Sequence, residues 1–332
     1  MITNELTATG TIIEQIKEES NRFQGLALEI SKIVVGQDNA ISSILMAILC
    51  NGHILLEGVP GIAKTTMIKV VTKAIGLSCN RIQFTPDLLP SDVIGTLIYN
   101  QKTAEFETKK GPIFSHLVLA DEINRAPAKV QAALLEAMQE RQVTIGSTTY
   151  ALERPFLVFA TQNPIEQEGT YTLPEAQVDR FMFKILMSYP PRHHEKEIIK
   201  REMIPVSVTQ VLSKEEIFSA QELVRQVYVD ERIIDYIIAI IFATRNPAQE
   251  PKLKDIESYI AHGVSPRATL FLYHAAKAHA FLRRRNFVTP DDVKAIAPLV
   301  LRHRIGVTYE AEANFITPDT LIQKILNSVS VP

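Results

Sequence analysis

Apolar positions in the first half of the chain follow two different patterns. Short apolar runs that stop at a glycine or at polar residues are typical of buried strands, whereas apolar residues that recur every three or four positions are typical of helices. Because the two patterns alternate along the chain, they predict an α/β layer with a parallel sheet. The predicted strands are 53–58, 116–122 and 154–164, and the predicted helices are 12–32, 64–75 and 126–140.

Two further segments alternate with a period of two around a polar turn. Residues 91–114 and 143–156 are therefore predicted to form β-hairpins inserted into the α/β pattern. At 189–197 the composition changes, and the double proline there is typical of a linker. Beyond it the apolar spacing is almost entirely helical. The sequence thus predicts an N-terminal helix with an α/β domain at 1–189, and a smaller all-α domain at 190–332.

The composition adds limits to this picture. Of 332 residues, 46% are hydrophobic and 22% are charged, and the net charge of −2 gives no overall attraction to nucleic acid or to an acidic membrane. Apolar stretches are interrupted before the roughly 18 residues that a membrane span needs, and the N-terminal segment has no signal-peptide pattern. Cys50 and Cys79 lie outside any C-x-x-C pair, which is typical of a reducing compartment. We therefore expect a cytoplasmic protein without a membrane span.

The turn between strand 53–58 and helix 64–75 carries candidate chemistry. Its sequence, GVPGIAKT, fits the phosphate-loop template except at Ala63, where a glycine is expected. Backbone N–H groups and the following helix N-terminus can bind anionic oxygens, Lys64 can neutralise phosphate charge, and Thr65 can offer its hydroxyl to Mg²⁺. The alternative is an ordinary strand–turn–helix corner. The predicted phosphate-binding residues are Gly58, Val59, Pro60, Gly61, Ile62, Ala63, Lys64, Thr65 and Thr66.

The alanine at position 63 leaves two possibilities open. If the backbone there has a positive φ, alanine costs about 1 kcal/mol relative to glycine. If φ is negative, the substitution costs nothing. In either case alanine is the smallest replacement for glycine, so the loop can still wrap closely around a phosphate.

Polar side chains follow the next two predicted strands. Asp121 and Glu122 end the strand 116–122, at the edge of an α/β sheet where ligands bind. Such an aspartate can hold Mg²⁺, and the neighbouring glutamate can deprotonate an attacking water. Asn163 ends the third strand and can hold that water or a phosphate oxygen. The alternatives are an acid pair that caps a helix and an asparagine that caps the turn before Pro164.

Two arginines are candidates for contact with a negatively charged group. Arg267 follows Ser265 and Pro266 at a predicted helix start, where a cation opposes the helix dipole by some 0.3–1 kcal/mol. This local penalty indicates that Arg267 points at something negative. Arg180 precedes an apolar strand and either pairs with Asp179 or projects toward a neighbouring subunit's nucleotide.

Taken in order, these motifs closely resemble the MoxR group of AAA+ ATPases. They are GVPGIAKT, LADEINRA, VQAALLEAMQERQVT, ATQNP, LPEAQVDRF and SPRATL, and the resemblance covers about residues 30 to 325. An alanine before the lysine is usual in that family. The resemblance implies an AAA+ P-loop NTPase core with a parallel sheet sandwiched by helices, followed by a helical lid, and assembly into rings that are commonly hexamers.

The resemblance also implies roles for individual residues. Asn163 matches sensor 1, Arg180 the arginine finger and Arg267 sensor 2. Val35 and Gly36 match the adenine-side segment. Family members act as chaperone-like factors, often together with von Willebrand factor A domain proteins.

The leading hypothesis is therefore an ATP- and Mg²⁺-dependent ATPase that remodels or matures partner proteins, with Thr65 and Asp121 as the metal-binding residues. One rival is a non-catalytic nucleotide switch that scaffolds partners, which the presence of Glu122 and Arg180 argues against. The other is a nucleic-acid motor, since related AAA+ groups with the same two hairpins include helicases. The modest net charge argues against that second rival.

Overall fold

A computed structural model of the chain describes residues 2–164, 170–202 and 207–332, with side chains at 12–164, 170–201 and 207–332. The chain divides into two compact units. One, the α/β unit, consists of Gly25–Phe181 and Ile185–Lys214. The other, the helical unit, consists of Met1–Gln24, Met182–Lys184 and Glu215–Pro332.

The α/β unit is built on a parallel sheet of five strands. Their order is β2–β5–β8–β1–β9, so the first strand in the chain lies next to the centre and the second lies at an edge. Strands β1 and β8, β8 and β5, and β5 and β2 pair in parallel. The five strands are β1 (Ile54–Gly58), β2 (Cys79–Gln83), β5 (Leu117–Asp121), β8 (Leu157–Gln162) and β9 (Phe183–Met187).

Along the chain, helices and two β-hairpins precede, separate and follow these strands. The helices are α1 (Ile2–Ser31), which continues into the helical unit, α2 (Asp38–Cys50), α3 (Lys64–Ile75), α4 (Pro90–Ile94), α5 (Ala128–Glu140), α6 (Glu175–Val178) and α7 (Arg192–Glu202). The hairpins are β3 (Gly95–Asn100) with β4 (Glu105–Lys110), and β6 (Gln142–Ile145) with β7 (Thr148–Ala151).

The central strands are buried on both faces, which explains their continuous apolar sequences. In β5 every residue is buried, and alternate side chains point to opposite faces of the sheet. Val118 and Ala120 face a core cluster that also contains Leu134 and Met138 of α5. Full burial of a leucine side chain contributes about 1.5–3 kcal/mol, so this helix is held to the sheet mainly by its apolar side.

Among the described residues, the helical unit contains six α-helices of its own, two 3-10 helices (Pro247–Gln249 and Pro251–Tyr259) and a small two-stranded sheet. The small sheet differs from the predicted all-α domain. Its helices are α8 (Lys214–Gln226), α9 (Glu231–Arg245), α10 (Pro266–Leu282), α11 (Pro290–Leu301), α12 (Tyr309–Ala313) and α13 (Pro318–Ser328), and its strands are β10 (Ile260–His262) and β11 (Gly306–Val307).

The predicted linker at 189–197 is wrong in part, because α7 begins at Arg192 inside it. The double proline lies directly before that helix, where proline does not interrupt helical hydrogen bonds. The predicted domain boundary between residues 189 and 190 stays a prediction. Within the described chain, no helix has the length and apolarity needed to cross a membrane.

Candidate nucleotide site

The phosphate loop joins the end of β1 to the start of α3. Gly58 is packed closely, since a Cβ there would lie 2.7 Å from the carbonyl oxygen of Met187 and 2.5 Å from Cδ1 of Ile62. Gly61 has a φ of +84° and open space around a built Cβ, so its backbone conformation, not crowding, favours glycine. The loop therefore uses glycine once for close approach and once for a positive φ.

Ala63 adopts the left-handed conformation, with φ 64° and ψ 24°, directly before the first residue of α3. Of the two possibilities left open by the sequence, the positive φ is the one observed. Alanine then costs about 1 kcal/mol relative to a residue in the right-handed region. Positive φ at Gly61 and Ala63 turns the loop backbone sharply ahead of the helix, and successive N–H groups in such turns form anion-binding concavities.

Lys64 lies at the carboxyl ends of two neighbouring strands. Its Nζ donates to the carbonyl oxygen of Gly58 on β1 and lies 3.5 Å from the carbonyl oxygen of Gln162 on β8. The first turn of α3 contains no acidic residue, so the positive end of the helix dipole and the ammonium reinforce each other. This end of the sheet is suited to an anion.

Asp121 at the end of β5 is the centre of the polar cluster. Its side chain is only 10% exposed. Oδ1 accepts the hydroxyl of Thr161 at 2.6 Å, and Oδ2 accepts the hydroxyl of Thr65 at 3.3 Å. Oδ2 also accepts from Arg81, at 3.0 Å from Nε and 2.6 Å from Nη2. Three strands and the start of α3 thus converge on one carboxylate.

Glu122 has a left-handed backbone, with φ 56° and ψ 50°, at the point where β5 ends. Its N–H donates to the Thr161 hydroxyl at 2.8 Å. On the side chain, Oε2 accepts from Gln83 Nε2 at 2.8 Å and pairs with Arg125 Nε at 3.2 Å. This strained turn lies at the sheet edge, and the Glu122 side chain is 33% exposed, so water can reach its carboxylate.

Sequence reasoning missed four of these partners, namely Thr161, Arg81, Gln83 and Arg125. Thr161 was part of the polar tip of a predicted strand, but its register beside Asp121 becomes visible only once β5 and β8 are paired. Arg81 and Gln83 lie on β2, which was not predicted as a strand because only Ile82 among its residues is buried. A short, polar edge strand gives little periodic signal.

The other predicted residues lie as follows. Asn163 directly follows β8 and is buried, at 5% exposure. The carbonyl oxygen of Gln162, the last residue of β8, lies 3.5 Å from Nζ of Lys64. Arg180 follows α6, and its guanidinium bonds Gln139 Oε1 at 3.1 Å and the Ala176 carbonyl oxygen at 3.0 Å. The structure thus holds Arg180 against α5 and α6.

Arg267 is in the first turn of α10, as predicted, with Ser265 at the N-cap position and Pro266 at the first helical position. The Ser265 hydroxyl makes no capping hydrogen bond. This arginine belongs to the helical unit, whereas the phosphate loop belongs to the α/β unit. Its part in the site stays a prediction.

Val35 and Gly36 form the turn between α1 and α2. Gly36 has a φ of +73°, and a Cβ there would lie 2.6 Å from Nδ1 of His194 and 3.2 Å from Cβ of Pro190. Glycine is thus favoured by conformation and by crowding. His194 belongs to the segment 189–197 predicted as a linker, but it lies half-buried at the start of α7 against this turn. Adenine contact at Val35 and Gly36 stays a prediction.

The oxygens of Thr65 and Asp121 suit a hard divalent cation. In the described residues, no group of three or more histidine, cysteine, aspartate or glutamate side chains is placed to hold a metal ion. Mg²⁺ does not need such a cage, because it is usually bound by one or two protein oxygens together with phosphates and waters. A hydroxyl and a buried carboxylate 3.3 Å apart beside the phosphate loop fit that mode.

Comparisons with known proteins place the chain in a family. Residues 53–183 match the family model described as ATPase family associated with various cellular activities (AAA), and 253–325 match the AAA lid domain. The chain is 47% identical to "Chaperone MoxR1" of Mycobacterium tuberculosis over 96% of this chain and 85% of that protein. It is 31% identical to "Protein MoxR" of Methylorubrum extorquens over 99% of this chain and 100% of that protein. The chain belongs to the MoxR family of AAA+ ATPases.

A solved structure confirms the fold of this MoxR-family chain. The crystal structure of a protein from Cytophaga hutchinsonii superposes on this chain with a TM-score of 0.91. The two sequences are 49% identical, and the alignment covers 99% of each chain. The predicted AAA+ core and lid are therefore confirmed, and nucleotide binding is the property that the family implies.

Proposed function

We propose that this MoxR-family protein binds ATP with Mg²⁺ and hydrolyses it to drive remodelling or maturation of partner proteins. The observation that carries the proposal is the convergence on Asp121. Hydroxyls of Thr65 and Thr161 bond its two oxygens, and Glu122 follows it directly at the same sheet edge as Lys64. A phosphate cradle, an oxygen pair for a divalent cation and a water-accessible carboxylate are the groups that phosphoryl transfer to water requires.

The loop residues Gly58 to Thr66 are proposed to bind the phosphates. Their N–H groups and the α3 N-terminus would donate hydrogen bonds to the negative phosphate oxygens, and Lys64 would exchange its carbonyl partners for phosphate oxygens. Thr65 and Asp121 would hold Mg²⁺, which when bound neutralises phosphate charge. Val35 and Gly36 are proposed to lie beside the adenine.

Glu122 is proposed to take the proton from the attacking water. Its carboxylate lies at the solvent-accessible end of β5, and Gln83 and Arg125 fix its orientation. Asn163, buried at the end of the neighbouring strand β8, would orient the same water. Arg180 would stabilise charge on a neighbouring subunit's phosphate, and Arg267 would couple the helical unit to the nucleotide.

A glutamine at position 122 tests the assigned base. Glu122→Gln keeps the size and the hydrogen-bonding capacity of the side chain but cannot accept the proton, so phosphate release should fall about a hundredfold or more while ATP still binds. Glu136→Gln, on the exposed side of α5, is the matched control and should hydrolyse ATP at the normal rate. Normal phosphate release by Glu122→Gln would overturn the role of Glu122. Absence of hydrolysis in the unmodified protein would favour the nucleotide-switch alternative.

The proposed action on partner proteins is supported by the names of the relatives, one of which, "Chaperone MoxR1", is 47% identical in sequence to this chain. We propose assembly into a homo-oligomeric ring, with the mass of a hexamer, and recognition of client proteins such as those with a von Willebrand factor A domain. In the presence of ATP, the Glu122→Gln variant should retain bound client proteins, since it binds ATP but cannot hydrolyse it. A captured protein that is released by ADP would support this, and capture that is independent of nucleotide would contradict it.

A further inference from the structure

Arg81 on β2 is placed on the carboxylate that the proposed function assigns to the metal. In the parallel pairing of β2 with β5, Arg81 lies opposite Leu119 and Gln83 lies opposite Asp121. The Arg81 side chain runs along the strand, and both Nε and Nη2 donate to a single oxygen, Oδ2 of Asp121. Two charge-assisted bonds to one oxygen are a strong local interaction.

That oxygen is also the one that faces the phosphate loop. Oδ1 is engaged by Thr161 within the sheet, and Oδ2 carries both the Thr65 hydroxyl and the Arg81 guanidinium. Thr65 and Asp121 Oδ2 are the oxygen pair that fits Mg²⁺. A guanidinium and a divalent cation that share one carboxylate oxygen repel each other, because both are positive and the carboxylate is largely shielded from water.

We propose that Arg81 is a positioning residue that occupies the metal-facing oxygen of Asp121 when no metal is bound, and that it leaves when Mg²⁺ binds. This inference rests on the proposed function. With Arg81 in this position, nucleotide binds less tightly in the presence of Mg²⁺ than it would if Mg²⁺ met only the oxygens of Thr65 and Asp121. In return, it keeps the buried carboxylate paired while the site is empty, since an unpaired buried charge is costly.

The surroundings of Arg81 allow it to leave. Its side chain is 49% exposed, against 10% for Asp121, so the guanidinium moves toward water while the carboxylate stays in place. Arg81 also lines a cavity of about 350 Å³ at the surface of the α/β unit, together with Lys69, Lys73 and Leu119. The movement needs only a change of side-chain rotamers, without displacement of the strand.

The test compares nucleotide affinity with and without metal. Calorimetry with a non-hydrolysable ATP analogue gives the dissociation constant in EDTA and in Mg²⁺, and the ratio of the two measures how strongly Mg²⁺ assists binding. Arg81→Gln should raise this ratio about tenfold, because the metal no longer displaces a charged partner. The dissociation constant in EDTA should change less than about twofold.

Two further variants separate the contact from general electrostatics. Lys73→Gln removes the same charge from the same cavity, and its ratio should stay within about twofold of the unmodified protein. Arg81→Lys keeps the charge but not the paired N–H groups, and should raise the ratio by an intermediate amount. If Arg81→Gln does not fold, as judged by its melting curve, Arg81→Lys decides the outcome.

An unchanged or lower ratio for the Arg81 variants would overturn the inference, since it would mean that Arg81 orients Asp121 for the metal or has no effect. An equal rise in Lys73→Gln would overturn it too, because the effect would then be general charge. Failure of the proposed function is a separate result: the unmodified protein would bind the analogue in neither condition.

Discussion

At the scale of single residues, Ala63 shows how the loop departs from the general template and still keeps its shape. Its φ of 64° lies in the left-handed region, which glycine adopts with less strain than any other residue. The adjacent start of α3 and the packing of Ile62, which is 5% exposed, nevertheless hold the Ala63 backbone in this conformation. The sequence left both signs of φ open at position 63, because backbone strain does not change the spacing of apolar residues. The structure shows that φ is positive there.

Ala63→Gly should therefore stabilise the protein slightly. Relief of the left-handed penalty, about 1 kcal/mol, is partly offset by the greater freedom of glycine in the unfolded chain, about 0.4–1 kcal/mol. The free energy of unfolding in urea should rise by about 0.5 kcal/mol, whereas Gly61→Ala should lower it by a similar amount. A loss of stability in Ala63→Gly would show that the positive φ carries no strain.

At the scale of elements, the strands of the main sheet were predicted correctly from the sequence where their residues are buried. Strands β5 and β8 were predicted because their residues are continuously apolar, and α3 was predicted with the bounds 64–75 that it has. Both hairpins were predicted from alternation, and both are present. The edge strand β2 was missed, and with it the partners of Asp121 and Glu122, because CNRIQ carries polar side chains outward. The roles assigned to site residues stay predictions.

His53, just before β1, links three elements and gives the α/β unit a pH dependence. Its Nδ1 accepts the N–H of Val158 on β8 at 3.0 Å, and its Nε2 lies 3.2 Å from the carbonyl oxygen of Met138 on α5. Burial, aided by the charge of Arg141, lowers the pKa of His53 to about 3. The ring is therefore neutral in the folded protein, which suits one accepting and one donating nitrogen.

Because the unfolded pKa is near 6.5, this histidine favours folding fully above pH 6.5 and loses that contribution as the pH falls toward 3. The slope approaches about 1.4 kcal/mol per pH unit. Between pH 7.5 and pH 5, the difference in unfolding free energy between the unmodified protein and His53→Asn should shrink by about 2 kcal/mol. A difference that does not change with pH would show that His53 is not held neutral.

At the scale of the whole molecule, the AAA+ core and lid place the candidate site in a family whose members form oligomeric rings. A ring would give Arg180 a role that one chain cannot show, since its guanidinium here contacts its own α5 and α6. The sequence resemblance supplied this expectation, which stays a prediction.

Mixing two inactive variants tests that expectation. Glu122→Gln retains Arg180, and Arg180→Ala retains Glu122, so a mixed ring has some interfaces with both groups intact. Each variant alone should lose most of its phosphate release, and a mixture that exchanges subunits should regain about a quarter of the unmodified rate if random pairing sets the number of intact interfaces. Activity that never exceeds the average of the two variants would place Arg180 outside the neighbour's site.

The central claim is that the loop, Asp121 and Glu122 form one site for a metal-bound triphosphate. The most direct measurement is a crystal structure of the protein with Mg²⁺ and a non-hydrolysable ATP analogue. We expect the terminal phosphates against Lys64 and the N–H groups of the loop, and the metal on the Thr65 hydroxyl beside Asp121. An analogue bound elsewhere, or a metal away from both Thr65 and Asp121, would contradict the account.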